Sequence, residues 1–345
     1  MPMPETIEKP KRTRIAWIDA LRGIAMYFVV LGHTFPVPDV PLRMWIYSFH
    51  MPLFFLVSGL TWREPRGTFR DYVKRSAKNL LLPYAVLNVV IYCMKFVLRT
   101  AFDMYKNRGF VQPLIAFALG MDENLPCIQT WFLPTLFLTQ LLNFLIFRYI
   151  RTEWKRAVVI SALFAGGLAF SLTGLGELPW HTAVVPIALM FCYAGWLWMQ
   201  WRVWERAKPA LMWAAAVVLL AAGWYLQSLN GRVSMNGNVY GEHVWLFVLS
   251  AFSTCAGVVL LSILVLYRSR ILNGVGVHSM FYLGYHGFLP TAADKFAHVL
   301  VSTQLGCVAV AILDVLVLYP FAGLVTERCP ILIGKLPTRK KTDSR

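Results

Sequence analysis

The sequence predicts an all-α integral membrane protein, a bundle of about ten transmembrane helices with both termini in the cytosol. Its residues are 58% hydrophobic and only 14% charged, which leaves too little charge to cover a water-facing surface. The hydrophobic residues also occur in blocks of about 17 to 25, and a helix of that length crosses about 30 Å of hydrocarbon. Repeated crossing of a bilayer therefore accounts for both observations.

The predicted spans follow one another closely along the chain, separated by short polar or basic segments. They lie at residues 15–35, 45–61, 80–98, 131–148, 157–174, 182–200, 210–228, 244–266, 274–291 and 299–322. The longest segment on the outer side follows the third span, and we predict a short helix there near residues 111–120.

The positions of lysine and arginine test this count independently, because these residues concentrate in cytoplasmic loops. With the N-terminus inside, most of the 33 lysines and arginines fall in cytoplasmic segments. We therefore divide the chain into a basic cytoplasmic tail at residues 1–14, a single transmembrane domain at 15–325 and a second basic cytoplasmic tail at 326–345.

The net charge of +16 does not indicate a nucleic-acid partner, since the cations are spread over short segments beside the bilayer instead of forming one face. The six cysteines have no paired spacing and the histidines have no metal-ligand spacing. We expect no disulfide, no metal and no bound cofactor. The lipid bilayer is the partner that composition predicts, and the oligomeric state stays open.

Three polar residues in the first span need a local reason, because each costs energy inside hydrocarbon. Arg22 and His33 are eleven residues apart, so they point within about 20° of each other and lie about 16 Å apart along the helix. Asp19 shares this face, which must turn away from lipid. A buried ion pair plus an interfacial histidine explains the pattern as well as a functional site does.

A second histidine, His50, begins the second span from the outer side, and the short connection places it near His33. Histidine can exchange protons near neutral pH, which suits a base that deprotonates a hydroxyl. The alternative is a cap or an interfacial anchor at the Met51-Pro52 step.

Five stretches match, in order, the motifs of one known family. They are IDALRGIAMYFVVLGH at residues 18–33, SFHMPLFFLVSG at 48–59, RDYVKRSAKNLLLPY at 70–84, TWFLPTLF at 130–137 and SMFYLGYHGFL at 279–289. Through them the chain resembles the acyltransferase 3 family of multi-spanning O-acyltransferases, including the fucose 4-O-acetylase-like group. Arg22 and His33 have the family's spacing of an arginine, ten residues and a histidine. Lys78 and Asn79 stand where the family often has arginine.

The resemblance implies an enzyme that moves an acyl group, usually acetyl, from acetyl-coenzyme A as co-substrate to a hydroxyl of a sugar, glycolipid or surface polysaccharide. It implies that His33 is the base or, alternatively, an acyl carrier. Arg22 would orient the donor, and Asp19 would position Arg22. The resemblance also points to the plasma membrane of a bacterium.

The same resemblance implies two binding regions. The donor carries phosphates, which attract cations, and the residues expected to bind it are Arg70, Lys74, Arg75 and Lys78. The residues expected in the acceptor pocket are His50, Trp131, Tyr282 and His286. The alternatives are topogenic charges for the first group, and interface anchoring or interhelical hydrogen bonds for the second.

Two other functions compete with transfer. A transporter or flippase would use Asp19, Arg22, Lys95 and Asp314 to line a path, but the sequence shows no inverted repeat and no pair of broken helices. A non-catalytic sensor or scaffold would need a partner-binding domain, and none stands out in the sequence.

Overall fold

The computed structural model describes residues 14–64, 67–102, 109, 111–121, 124–296 and 298–336. Most of the two predicted tails, together with Arg66, Lys106 and Arg108 from the predicted loops, lie outside the described residues. The domain boundaries at residues 14 and 326 therefore stay predictions.

The described chain is almost entirely α-helical. Its first seven helices are α1 (Ala16–Thr34), α2 (Pro41–Thr61), α3 (Phe69–Phe102), α4 (Val111–Leu119), α5 (Phe132–Tyr149), α6 (Glu153–Ser171) and α7 (Val185–Trp201). The next seven are α8 (Pro209–Ser228), α9 (Val244–Leu264), α10 (Arg270–Val277), α11 (Ser279–Tyr285), α12 (Phe288–Phe296), α13 (His298–Val301) and α14 (Gln304–Arg328). Pro41 and Pro209 begin α2 and α8, where proline costs no helical hydrogen bond.

Eight helices of the described chain are long and apolar enough to cross a membrane, and they are α2, α3, α5, α6, α7, α8, α9 and α14. Helix α1 has 19 residues but is less apolar, because it carries Asp19 and Arg22. The predicted class, an all-α integral membrane protein, is confirmed. The predicted short outer helix is also present, as α4.

The ninth predicted span, residues 274–291, is not one helix. The structure divides this region into α10, α11 and α12, with His278 between the first two. Two glycines explain the irregular path, because they let other elements approach the backbone closely. A Cβ on Gly276 would overlap the carbonyl oxygen of Asp19, and one on Gly274 would overlap the Tyr319 hydroxyl. The hydropathy of the sequence identifies residues 274–291 as an apolar block but does not indicate the helix break at His278.

The basic loop before the third span also differs from the prediction. Helix α3 begins at Phe69, so Arg70, Lys74, Arg75 and Lys78 lie on a helix that continues into the apolar span. This matters for the site, because helical spacing now decides which of these cations share a face.

Helix α1 lies at the centre of the bundle and packs against α2, α10 and α14. The α1 and α10 backbones meet at Gly23, whose added Cβ would overlap the Leu272 carbonyl. Helices α2 and α7 meet in the same way at Gly59 and Gly195. Small residues allow such close contact in membrane proteins, where van der Waals packing holds helices together.

A short hairpin covers the end of the bundle that holds the C-terminus of α1. Strands β1 (Val233–Ser234) and β2 (Val239–Tyr240) pair antiparallel, with Val233 opposite Tyr240. Asn230 fixes the base of the hairpin, since its Nδ2 donates to the Tyr240 carbonyl at 3.0 Å and its Oδ1 accepts from the His243 amide at 2.9 Å. We call this end of the bundle the outer end and the opposite one the inner end, following the sidedness that the basic residues predict.

Candidate active site

One cavity of about 600 Å³ runs through the middle of the bundle. Its walls come from α1, α2, α5 and α11, and the β1 hairpin closes part of its outer end. Arg22 and Thr61 line the inner end, and Arg43 and Arg232 line the outer end. The cavity therefore follows the face of α1 that the sequence singled out.

His33 lies on this cavity near the outer end of α1. Its side chain is exposed although Leu31, Gly32 and Thr34 around it are buried. Because His33 is a lining residue, the cavity accounts for this exposure. A histidine in this position is open to a ligand inside the bundle while its helix stays packed.

His286 lies beside His33, with ring centroids 5.4 Å apart. Its Nδ1 is 2.6 Å from the Tyr282 carbonyl oxygen, which can only accept, so Nδ1 carries the hydrogen and Nε2 has a free lone pair. Nε2 is buried and has no hydrogen-bond partner among the described residues. The structure thus pairs the first-span histidine with the late histidine of the sequence.

Tyr282 contacts a different part of the bundle from His286. It is fully buried, and its hydroxyl donates to the Val315 carbonyl at 3.1 Å. Neither Tyr282 nor His286 is among the residues that line the cavity, so His286 contacts the site through the His33 ring. Its observed contacts are those of an interhelical hydrogen bond, and its carbonyl contributes to the site by holding His286.

His50 also lines the cavity, on the α2 side. Its Nδ1 donates to the Ile46 carbonyl at 2.8 Å, which leaves Nε2 as the acceptor nitrogen. The Tyr47 ring lies between the two histidines, 4.9 Å from the His50 ring and 6.2 Å from the His33 ring. His33, Tyr47 and His50 therefore form one wall of the outer half.

Arg22 and Asp19 are paired at the inner end, as the helical spacing predicted. Arg22 Nη1 is 3.5 Å from Asp19 Oδ1, and Arg22 Nη2 donates to Thr61 Oγ1 at 3.4 Å. The Arg22 side chain is still 32% exposed, so a ligand in the cavity has access to the guanidinium. Asp19 and Thr61 restrict its orientation without enclosing it.

A second cavity of about 800 Å³ adjoins the first at the inner end. The two share Ser58, Thr61 and Gln140 as lining residues. Of the four cations expected to bind the donor, Arg75 alone lines it, and its guanidinium lies 5.6 Å from the Tyr72 ring centroid. The other three are exposed residues that line neither cavity, and they are Arg70, Lys74 and Lys78.

Glu64 is the acidic residue in the wall of this inner cavity, and Arg156 neutralises it. Arg156 Nη1 is 3.2 Å from Glu64 Oε1, and the same guanidinium donates to the carbonyls of Ile150 and Phe147 at 2.6 and 3.3 Å. This buried arginine joins the inner ends of α5 and α6 to the segment after α2. Arg75 therefore faces a pocket whose carboxylate already has a partner.

Trp131 lines the main cavity and is 7% exposed. Its ring lies 4.8 Å from the His181 ring, and His181 Nδ1 donates to the Asn236 carbonyl at 2.7 Å. Trp131 thus belongs to the outer half of the cavity and is held there through the hairpin. A flat indole in such a wall can stack against a sugar ring.

Sequence reasoning missed four residues of the outer half, Arg43, Tyr47, Arg232 and Asn236. A signal existed for the first two, because residues 43, 47 and 50 follow each other at spacings of four and three on one face of α2. No local signal existed for the other two, since the hairpin reaches the cavity through long-range packing.

Lys95 and Asp314, two of the four charges that a transporter would use, lie outside both cavities. Lys95 Nζ donates to the Pro126 carbonyl at 2.8 Å. Asp314 is 1% exposed on α14. Neither lies in the path that a transported substrate would follow through the main cavity.

The fold and the cavity define the class of the molecule, a multi-pass membrane protein with a histidine-bearing cavity inside its helical bundle. Comparison with family models then gives its family. The model described as an acyltransferase domain matches residues 15–324, and the chain belongs to this acyltransferase 3 family. Comparisons with curated proteins and with solved structures found no match. The protein is therefore a membrane acyltransferase, and the transporter and scaffold alternatives are set aside.

Proposed function

We propose that this acyltransferase transfers an acetyl group from acetyl-coenzyme A, supplied from the cytosol, to a hydroxyl of a sugar, glycolipid or surface polysaccharide at the outer side of a bacterial plasma membrane. One observation carries the proposal. His33 is exposed inside a cavity that extends from Arg22 at the inner end to Arg43 at the outer end. Donor and acceptor can therefore enter from opposite ends and meet at one side chain.

The donor would bind from the inner cavity. Its phosphates would lie against Arg75, and its pantetheine arm would pass Ser58 and Thr61 into the main cavity, beside Arg22. Arg22 and His33 are about 16 Å apart along α1. An extended pantetheine arm has a length of this order, so the thioester would reach His33 while the nucleotide stays at the inner end.

The transfer step needs a base at the acceptor hydroxyl. His33 would remove the hydroxyl proton as the oxygen attacks the thioester carbonyl carbon, forming a tetrahedral intermediate. Collapse of this intermediate breaks the carbon–sulfur bond and releases coenzyme A, whose thiolate takes the proton back from His33. The products are the acyl ester and coenzyme A, and the histidine returns to its starting state.

His286 would position His33 in this step. Its buried Nε2 offers a lone pair next to the His33 ring, and a hydrogen bond there would hold one His33 nitrogen protonated and leave the other free as the base. Trp131 and His50 would contact the acceptor from the facing walls of the outer half. Apolar lining residues such as Met26, Val29 and Phe132 would limit competing hydrolysis by water.

The experiment that tests the proposal is coenzyme A release from acetyl-coenzyme A by the purified protein in nanodiscs, with and without a crude glycan extract. We expect extract-stimulated release that His33→Ala lowers by about 10²- to 10⁴-fold, the range for loss of a general base. The matched control is His243→Ala, an exposed histidine that lies outside the cavity and is stacked on Trp245. Equal activity of the wild type and His33→Ala would remove His33 as base and as carrier.

A further inference from the structure

Two arginines stand at the outer end of the main cavity, on the side where the acceptor would enter. Arg43 comes from the first turn of α2, and Arg232 precedes β1 in the hairpin. Both are lining residues of the cavity. Neither forms an ion pair with an acidic residue in the part of the chain that the structure describes.

Arg43 is held in place next to the histidines. Its Nη1 donates to the Pro38 carbonyl at 3.0 Å, and its guanidinium lies over the Tyr47 ring with Cζ 4.1 Å from the centroid. Tyr47 in turn contacts the rings of His33 and His50. A group bound at Arg43 would therefore lie one aromatic ring away from the proposed base.

Arg232 is exposed, but the backbone that carries it is fixed. Asn230 ties the two ends of the hairpin together, and Gln227 Nε2 donates to the Gly231 carbonyl at 2.6 Å. On the far side, His181 holds the hairpin through the Asn236 carbonyl. The hairpin thus presents Arg232 at the mouth of the cavity from the side opposite α2.

The described residues of the cavity wall include no compensating negative charge. Three arginines line it, Arg22, Arg43 and Arg232, and none of its lining residues, all in the described part of the chain, is aspartate or glutamate. Asp19 partners Arg22 at the inner end, whereas Arg43 and Arg232 have no acidic partner among the residues that the structure describes. Cations gathered in a recess with apolar walls create a positive potential that attracts an anion.

We infer that the acceptor carries an anionic group, a carboxylate or a phosphate, which Arg43 and Arg232 bind while the hydroxyl to be acylated lies at His33. This inference rests on the proposed function, since it assigns the outer half of the same cavity to the acceptor. A uronic acid residue of a glycan supplies a carboxylate, and a lipid-linked or phosphorylated sugar supplies a phosphate. Guanidinium groups bind both with paired hydrogen bonds.

Binding of small glycosides tests the inference without any acyl donor. The probes are methyl β-D-glucoside, methyl β-D-glucuronide and methyl β-D-glucoside 6-phosphate, which share a pyranose ring and differ in charge. Saturation-transfer NMR on the protein in nanodiscs measures their affinities. We expect one or both anionic probes to bind about tenfold or more tightly than the neutral one, and the tighter of the two identifies carboxylate or phosphate.

Three variants locate the site. Arg43→Gln and Arg232→Gln should each remove most of the preference for the anionic probe and leave neutral-probe binding unchanged. Arg232 is exposed, so Arg232→Gln tests the site without disturbing the packing of Arg43 on the Tyr47 ring. The control Arg99→Gln removes an α3 arginine that lies outside the cavity, over the Phe96 ring, and should change nothing.

Two results would overturn the inference. One is equal or undetectable binding of the neutral and anionic probes by the wild type. The other is an anion preference that survives both Arg43→Gln and Arg232→Gln. Because no donor is present, either result leaves the coenzyme A release assay of the proposed transfer unaffected.

Discussion

Replacing Arg75 by alanine should raise the concentration of acetyl-coenzyme A needed for half-maximal activity, and replacing Arg70 or Lys74 should not. All three cations lie in the first turns of α3 and carry the same charge. Only Arg75 lines the inner cavity. The comparison therefore separates a specific phosphate contact from the general positive charge of this segment.

The size of the effect follows from the exposure of Arg75. An exposed ion pair contributes about 0.2–1 kcal/mol, whereas a hydrogen bond to a charged group contributes about 1.5–3 kcal/mol. Arg75 is exposed, but it lies in a recess beside Tyr72. We take about 1–1.4 kcal/mol, which corresponds to about a five- to tenfold loss of donor affinity.

The assay is coenzyme A release at varied acetyl-coenzyme A, with saturating glycan extract, for the wild type and the three alanine variants. The expected result is a five- to tenfold rise in KM for Arg75→Ala with little change in kcat, and less than a twofold rise for Arg70→Ala and Lys74→Ala. A rise shared equally by all three variants would show that only the summed charge matters. An unchanged KM for Arg75→Ala would remove the inner cavity as the donor site.

Three further predictions concern the other parts of the structure. His286→Asn keeps an N–H group near the Tyr282 carbonyl but removes Nε2, so kcat should fall about tenfold or more while the KM for acetyl-coenzyme A stays unchanged. A change confined to KM would contradict a positioning role. Gly276→Ala should lower the melting temperature, because the new Cβ overlaps the Asp19 carbonyl and forces α1 away from α10, at an overpacking cost of about 1–3 kcal/mol or more. The control Gly166→Ala has open space around its new Cβ and should leave the melting temperature unchanged. Equal melting temperatures of the two variants would refute this account of the packing. Val37→Cys and Arg270→Cys, with the two exposed native cysteines replaced by serine, should react with impermeant reagents from opposite sides of the membrane, and labelling from one side would overturn the topology.

The sequence was sufficient for the class of fold and for one face of the site. Hydropathy and basic residues are local quantities, so they predicted most spans with small boundary shifts. The spacing of Arg22 and His33 placed both on one helical face, and both line the cavity. The ion pair of Arg22 with Asp19 follows from the same helical geometry.

Other features depend on contacts between distant segments, which no local pattern contains. Arg70, Lys74, Arg75 and Lys78 are neighbouring cations in the sequence, and only the folded position of α3, which packs against α5, makes Arg75 a lining residue of the inner cavity and leaves the other three outside it. The break that separates α10 from α11 accompanies close contacts with α1 and α14, which require a folded bundle. Tyr282 matched a motif, but its hydroxyl is bonded to the Val315 carbonyl.

The place where the two cavities meet has a consequence for the membrane itself. Ser58, Thr61 and Gln140 line both cavities, and Gln140 Nε2 donates to Ser58 Oγ at 3.5 Å where they meet. A passage that admits the acyl donor from one side and the acceptor from the other would also let protons cross the membrane. Such a leak would dissipate the transmembrane proton gradient in which a cell stores energy. We expect the Gln140–Ser58 contact to act as the seal of the empty enzyme. Liposomes with an internal pH dye should hold a proton gradient with the wild-type protein and lose it faster with Gln140→Ala, and the donor arm itself should restore the seal when it occupies the passage.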